Sequence, residues 1–188
     1  MGSVLTTEEF AELFRSARCS ARHMENRDRY DVPGEREELR RFLDGDWTES
    51  DERHERTGWE RTVRGLVDQG RRFERVRIVP EPLTDYLRFE LFGCRLNVEF
   101  GEDVRYLDRA EAVRLDLPDH DFWVFDSTTL VLLRFTADDR PLTHEIVTDP
   151  ELVVRHESWM DVAMSHAIPY VDYLAQDPTR ETAPVGWV

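Results

Sequence analysis

Apolar positions set the first expectations along the chain. Thr6 followed by Glu9 fits a capping box, and Phe10, Leu13, Phe14, Ala17, Ala21 and Met24 recur at helical spacing behind it. Pro33-Gly34 breaks the chain before a short second helix with Leu39, Phe42 and Leu43 on one face, which stops at Asp44-Gly45. A charged stretch from Ser50 to Arg56 leads into a third helix carrying Trp59, Val63, Leu66 and Val67, with Gly70 as its stop. The first ~70 residues therefore read as three helices.

From Arg71 the pattern changes. Phe73 to Pro80 alternates Arg75 and Arg77 with Val76 and Ile78, as a half-buried strand does. Leu83 to Phe100 fits two periods: Thr84 caps a helix bearing Leu87, Leu91, Cys94 and Val98, while Cys94, Leu96, Val98 and Phe100 alternate. Helix is favoured, because Gly101 supplies a stop. Val104 to Leu107 reads as a strand, and Phe122 to Phe135 as two core strands turned at Ser127-Thr128. Asp138 to Pro141 is a second turn, and His144 to Val147 another strand. Asp149-Pro150 opens a closing helix with Leu152, Trp159, Met160, Ala163 and Ala167, interrupted by Pro169. Residues 177–188 read as a frayed tail. The whole is one α/β domain over 1–188: a helical N-terminal part (1–70) and an α/β part (71–176) with a mixed sheet flanked by helices.

Composition narrows the function classes. Among 188 residues, 40 are acidic and 25 basic, a net charge of −15; every one of the basic residues is an arginine. That charge repels phosphate backbones, so direct nucleic-acid binding is not expected. No apolar run approaches the roughly 20 residues that span a bilayer, and the start MGSVLTTEEF lacks the basic-then-apolar pattern of a signal peptide. A cytoplasmic protein without membrane contact is expected. Cys19 and Cys94 form no C-x-x-C pair and read as small buried hydrophobes.

Candidate chemistry is sparse. Asp116, Asp119, His120, Asp121 and Asp126 cluster in sequence around the hairpin start, where carboxylates beside a histidine could hold a metal or exchange protons. The plainer reading is a solvated turn enforced by Pro118, with Asp126 bonding its own backbone. The run His23, Glu25, Arg27, Asp28, Arg29, Tyr30 lacks H-E-x-x-H spacing and reads as a charged helix end leading into an extended segment. Arg71, Arg72, Arg75 and Arg77 could grip an anion, or pair with carboxylates on an exposed strand face. There is no G-x-S-x-G elbow and no phosphate loop.

Two resemblances follow from longer stretches. FRSARCSARHMENRDRY, GRRFERVRIVPEPLTDYLRFEL, GEDVRYLDR and DFWVFD, in order over residues 10 to 135, resemble an actinobacterial family of unknown function commonly encoded beside helix-turn-helix regulators. The order RVRIVPEPLTDYL, GEDVRYL, DFWVFDSTTLVLL, a strand and a closing helix with Trp159 and Ala163 is similar to phospholipase D-like sensor domains. Catalytic members of that family carry His-x-Lys, four residues, then Asp. With that Asp on Asp126, Asp119 stands at the histidine position and Asp121 at the lysine position. The resemblance thus implies a phospholipase D-like half without its covalent nucleophile or its phosphate-holding cation.

These readings combine into a non-catalytic binding or regulatory module, the partner of or sensor for a helix-turn-helix transcription regulator. A small-molecule ligand is compatible with it; no cofactor or metal is expected, and the oligomeric state is open. Candidate binding residues are Arg75, Arg77, Tyr86, Arg88, Glu102, Asp119, Asp121 and Asp126. The alternative is a metal-dependent hydrolase or phosphodiesterase built on Asp119, His120, Asp121 and Asp126. A neutraliser that mimics nucleic acid with its charge is a third class.

Overall fold

The computed structural model describes residues 3–182. Eight strands, β1 (Ser3–Leu5), β2 (Ser20–Glu25), β3 (Arg72–Val79), β4 (Asp103–Asp108), β5 (Phe122–Phe125), β6 (Thr129–Phe135), β7 (Pro141–Val147) and β8 (Ile168–Pro169), form one mixed sheet. Its order is β1-β7-β6-β5-β2-β3-β4-β8. Only β2, β3 and β4 run parallel to their neighbours in that group; every other pairing is antiparallel.

Helices cover both faces. Against one lie α6 (Arg109–Arg114) and α7 (Pro150–His166), around Met24, Val76, Ile78, Phe122, Val124 and Met160. Against the other lie α1 (Thr7–Ser16), α4 (Thr57–Val67) and α5 (Asp85–Phe100), with aromatic packing of Phe14, Trp59, Phe73, Trp123 and Phe125. The shorter α2 (Glu35–Leu43) and α3 (Glu49–Glu55) sit beyond α5, where Phe42 and Trp47 meet Phe89.

Local chemistry explains most boundaries. Thr6 and Glu9 make the reciprocal capping box of α1. Thr84 caps α5, and Gly101, at φ 105°, ends it with a left-handed turn that a side chain would strain. Asp149 caps α7 with Pro150 in the first turn. Gly93, inside α5, faces the Arg56–Glu52 ion pair so closely that an added Cβ would lie 2.4 Å from both side chains.

The N-terminal part departs from three successive helices. The first helix stops at Ser16, because Ala17 turns extended (ψ 132°), and residues 20–25 form β2 in the middle of the sheet. All six β2 residues are buried. Strands covered on both faces lose clean alternation, which leaves Ala21 and Met24 free to imitate helical spacing. The region to Val67 holds four helices and two strands. At the other end, Tyr170–Gln176 is an additional helix, α8, and Pro178–Glu181 forms a 3-10 turn rather than fraying. Arg180 ties that turn to Glu81 at 2.8 Å, and Arg88 donates to the Thr179 carbonyl at 3.1 Å. The remainder of the expected tail, 183–188, lies outside the described residues.

Candidate functional site

Side-chain alternation on the three central strands builds a charged floor. His23 and Glu25 on β2, Arg75 and Arg77 on β3, and Trp123 on β5 share one sheet face; His23 pairs in register with both Arg75 and Trp123, and Glu25 with Arg77. Asp121, two residues before Trp123, extends the row. These six line a cleft of about 930 Å³, walled by α2, α3, the start of α5 and the β6–β7 hairpin. That volume suits a small molecule.

Arg75 and Arg77 are buried, not displayed on an exposed strand face. Arg75 donates to Glu102 at 2.6 Å and also to Glu25; Arg77 donates to Glu25 at 2.5 Å and to Glu90 at 3.0 Å. A guanidinium taken out of water requires such partners. Burial alone would raise the Glu25 carboxyl, but Arg75 and Arg77 outweigh it and hold it at about 2. Arg56 likewise faces Glu52, which accepts from the Trp47 indole at 2.7 Å.

The remaining carboxylates lack such compensation. Seven carboxylates line the cleft (Glu25, Glu35, Glu38, Glu52, Glu55, Glu90, Asp121) against four guanidiniums (Arg56, Arg75, Arg77, Arg134), and Arg134 is engaged with Glu145. Glu35 accepts from the Tyr86 hydroxyl at 2.8 Å; burial, then the neighbouring Glu90, pushes it up to about 7. Asp121 accepts from the Asn26 amide at 2.8 Å and from the Tyr30 hydroxyl, and burial raises it to about 6. Glu38 is raised by burial, with Glu55 and Glu52 adding repulsion.

His23 is the unmatched member. It is 6% exposed, stacks on Trp123 and has no hydrogen-bond partner at either ring nitrogen. The Glu25 carboxylate lies 3.3 Å from Nδ1 without hydrogen-bond geometry. Burial lowers His23 to about 3, so the ring is neutral.

Of the expected binding residues, Arg75, Arg77, Tyr86 and Asp121 line the cleft, and Glu102 supports it through Arg75. The other three lie elsewhere: Arg88 on the outer side of α5, Asp119 exposed before β5, and Asp126 beyond its far end. Asp126 does not close a local turn on its own backbone; its carboxylate accepts from the amides of Arg18, Cys19 and Ser20 at 2.7–3.0 Å, binding the start of β2 to the end of β5. Burial would raise Asp126, and those amides outweigh it. Asp121 is buried rather than solvated. His120 points to the opposite sheet face, its Nε2 3.0 Å from that of His156 on α7. Asp119, His120, Asp121 and Asp126 therefore do not converge, and no group of three metal-ligating side chains forms among the described residues. Cys94 is buried as expected, but Cys19 is exposed; both are free.

His23, Glu25 and Tyr30, which the sequence presents as a charged helix end, stand instead on β2 and just beyond it and line the cleft with Glu35, Glu90 and Trp123, none of which the sequence marks as a binding residue. The alternation of His23 with Glu25 is the local mark of β2, and the helical spacing of Ala17, Ala21 and Met24 masks it.

The mixed sheet with helices on both faces has the phospholipase D fold: a crystal structure of a phospholipase D family member, Nuc from Salmonella typhimurium, matches with TM-score 0.50 and 14% identity, over 90% of this chain and 99% of that one. Phosphatidylserine synthase from Haemophilus influenzae also matches, with TM-score 0.45 and 12% identity, over 93% of this chain and 40% of that one. Residues 8–175 match the model of the family described as a domain of unknown function, DUF6879, and the chain belongs to that family. No curated protein matches by sequence. Among the described residues, no helix is long and apolar enough to cross a membrane.

Proposed function

We propose that this protein is a non-catalytic binding module that keeps a phospholipase D-type cleft for ligand recognition and acts as the sensor or partner of a helix-turn-helix regulator in an actinobacterial cytoplasm. The observation that carries the reading is the commitment of the cleft's two central cations. Arg75 and Arg77 are buried and ion-paired with three carboxylates, Glu25, Glu90 and Glu102, so their positive charge is already balanced before any phosphate arrives. Asp121 stands in the same cleft as a carboxylate, where the resemblance would require a lysine, and would repel a phosphodiester. The imidazole on the floor, His23, has no hydrogen-bonded carboxylate to orient it as a nucleophile or base.

The net charge of −15 supports docking to a basic DNA-binding partner, because complementary charge raises the encounter rate. The test is co-purification with the helix-turn-helix protein encoded by the adjacent gene. A complex that forms at low salt and weakens as salt rises is expected; no complex at low salt contradicts the partner role.

A further inference from the structure

Two Tyr–carboxylate pairs flank the cleft. Tyr30 donates to Asp121 and Tyr86 to Glu35, with the two rings 6.0 Å apart. Among the described residues, neither Asp121 nor Glu35 is hydrogen-bonded to a basic side chain, and Glu38, which lines the cleft beside Glu35, has no hydrogen-bond partner. Beneath them lies the His23–Trp123 stack, with an imidazole donor and acceptor that no protein group matches. Buried polar atoms are ordinarily paired, and uncompensated carboxylates crowded in one cleft repel one another. Tyr30, Tyr86 and Trp123 line the same cleft and give it aromatic surface for an apolar body.

We infer that the cleft takes a small organic cation, a primary ammonium or guanidinium on a short apolar or aromatic body, held by Glu35, Glu38 and Asp121 above the His23–Trp123 floor. The inference rests on the reading of this cleft as the ligand site and adds the ligand's chemical class. The cationic head neutralises the carboxylate wall, the apolar body packs on the aromatic residues, and a polar atom of the ligand meets the imidazole. Phosphate esters are excluded by the same charges, because Arg75 and Arg77 are already committed to glutamates. Glu35, which accepts from Tyr86 and faces Glu38, Glu90 and Arg56 across the cleft, has its carboxyl raised to about 7 by burial and then by Glu90, so its ionisation raises cation affinity as pH goes from about 6 to about 8.

The test follows the His23 ring signals of the full chain by nitrogen-15 NMR while agmatine or tyramine is added, with inorganic phosphate and glycerol phosphate in parallel. Saturable shifts with at least one amine and none with the phosphates are expected. Glu38→Gln and Glu35→Gln should each weaken amine binding about tenfold or more, and Asp126→Asn, remote from the cleft, should leave it unchanged. Shifts with phosphates but not amines overturn the cation assignment while leaving the cleft a ligand site. No shift with either class at tens of millimolar overturns both. Amine binding that is indifferent to both glutamate substitutions overturns the assignment by locating the cation elsewhere. New product signals during the titration would contradict the non-catalytic reading and leave the ligand class standing.

Discussion

His23 lies flat on Trp123, ring centroids 4.1 Å apart and planes 16° from parallel, in register across β2 and β5. The stack puts a neutral imidazole on the floor of a carboxylate-rich cleft. Burial is the first cause of its low basicity; Arg75 and Arg77 add to it, and Glu25 opposes them. The His23 ring nitrogens should therefore show no titration between about pH 8 and pH 5, when the unperturbed midpoint is about 6.5. The sign for stability follows. The unfolded state binds a proton below about 6.5 that the folded state refuses until about 3. Over that window His23 makes the fold less stable as pH falls. A His23 titration with a midpoint near 6 would contradict the buried, neutral assignment.

Glu102 is buried and accepts from Arg75 at 2.6 Å, with the Trp59 indole at 3.4 Å. Removing one partner of a buried pair leaves the other uncompensated. Glu102→Leu should cost roughly 3 kcal/mol in urea denaturation, with reduced ligand affinity because Arg75 loses its anchor. An unchanged urea midpoint is incompatible with this network.

Glu35 gives the opposite pH signature to His23. Its carboxyl is raised from 4.5 to about 7, so its contribution is fully present below about 4.5 and lost as pH rises through about 7. Glu35→Gln keeps an acceptor for Tyr86 and removes the charge. The variant should exceed the parent in stability at pH 8 by about 2 kcal/mol and nearly equal it at pH 5. Thermal unfolding at the two pH values measures the difference; equal shifts at both would show that Glu35 titrates normally.

Asp126 is expected to be structural. It gathers the amides of Arg18, Cys19 and Ser20, and Asp126→Ala should destabilise by about 2 kcal/mol, the scale of hydrogen bonds to a charged group. Its lowered carboxyl contributes above the ordinary carboxylate range, and the contribution is lost as pH falls through the depressed value. The cleft residues should be unaffected, so ligand binding by the folded fraction of Asp126→Ala should match the parent.

Much of the fold is legible where local chemistry sets it. The Thr84 cap and Gly101 stop decide α5 against its competing alternation, and Asp149-Pro150 opens α7. The hairpin of β5 and β6 follows from its apolar runs and the turn at Ser127, where φ is 55°. The site was harder to read, because its polarity is compensated over long sequence separations. Arg77 looks like the solvent face of a strand until Glu25 and Glu90 are seen against it. Asp121 looks like part of a turn until Tyr30 and Asn26 enclose it. The sequence cluster from Asp119 to Asp126 spans β5, whose alternation sends His120 and Asp121 to opposite faces and whose length separates Asp121 from Asp126. Tertiary pairing, absent from any local window, turns Arg75 and Arg77 from a basic patch into closed ion pairs.

The most direct test of a binding cleft on a phospholipase D fold is turnover of a generic phosphodiester. Purified protein is incubated with bis(4-nitrophenyl) phosphate, with and without magnesium, manganese or zinc, and nitrophenolate release is followed. Release at the rate of buffer alone is expected under every condition. Release above buffer that disappears in Asp121→Asn or His23→Gln, with both variants folded, would contradict the account and make the cleft catalytic.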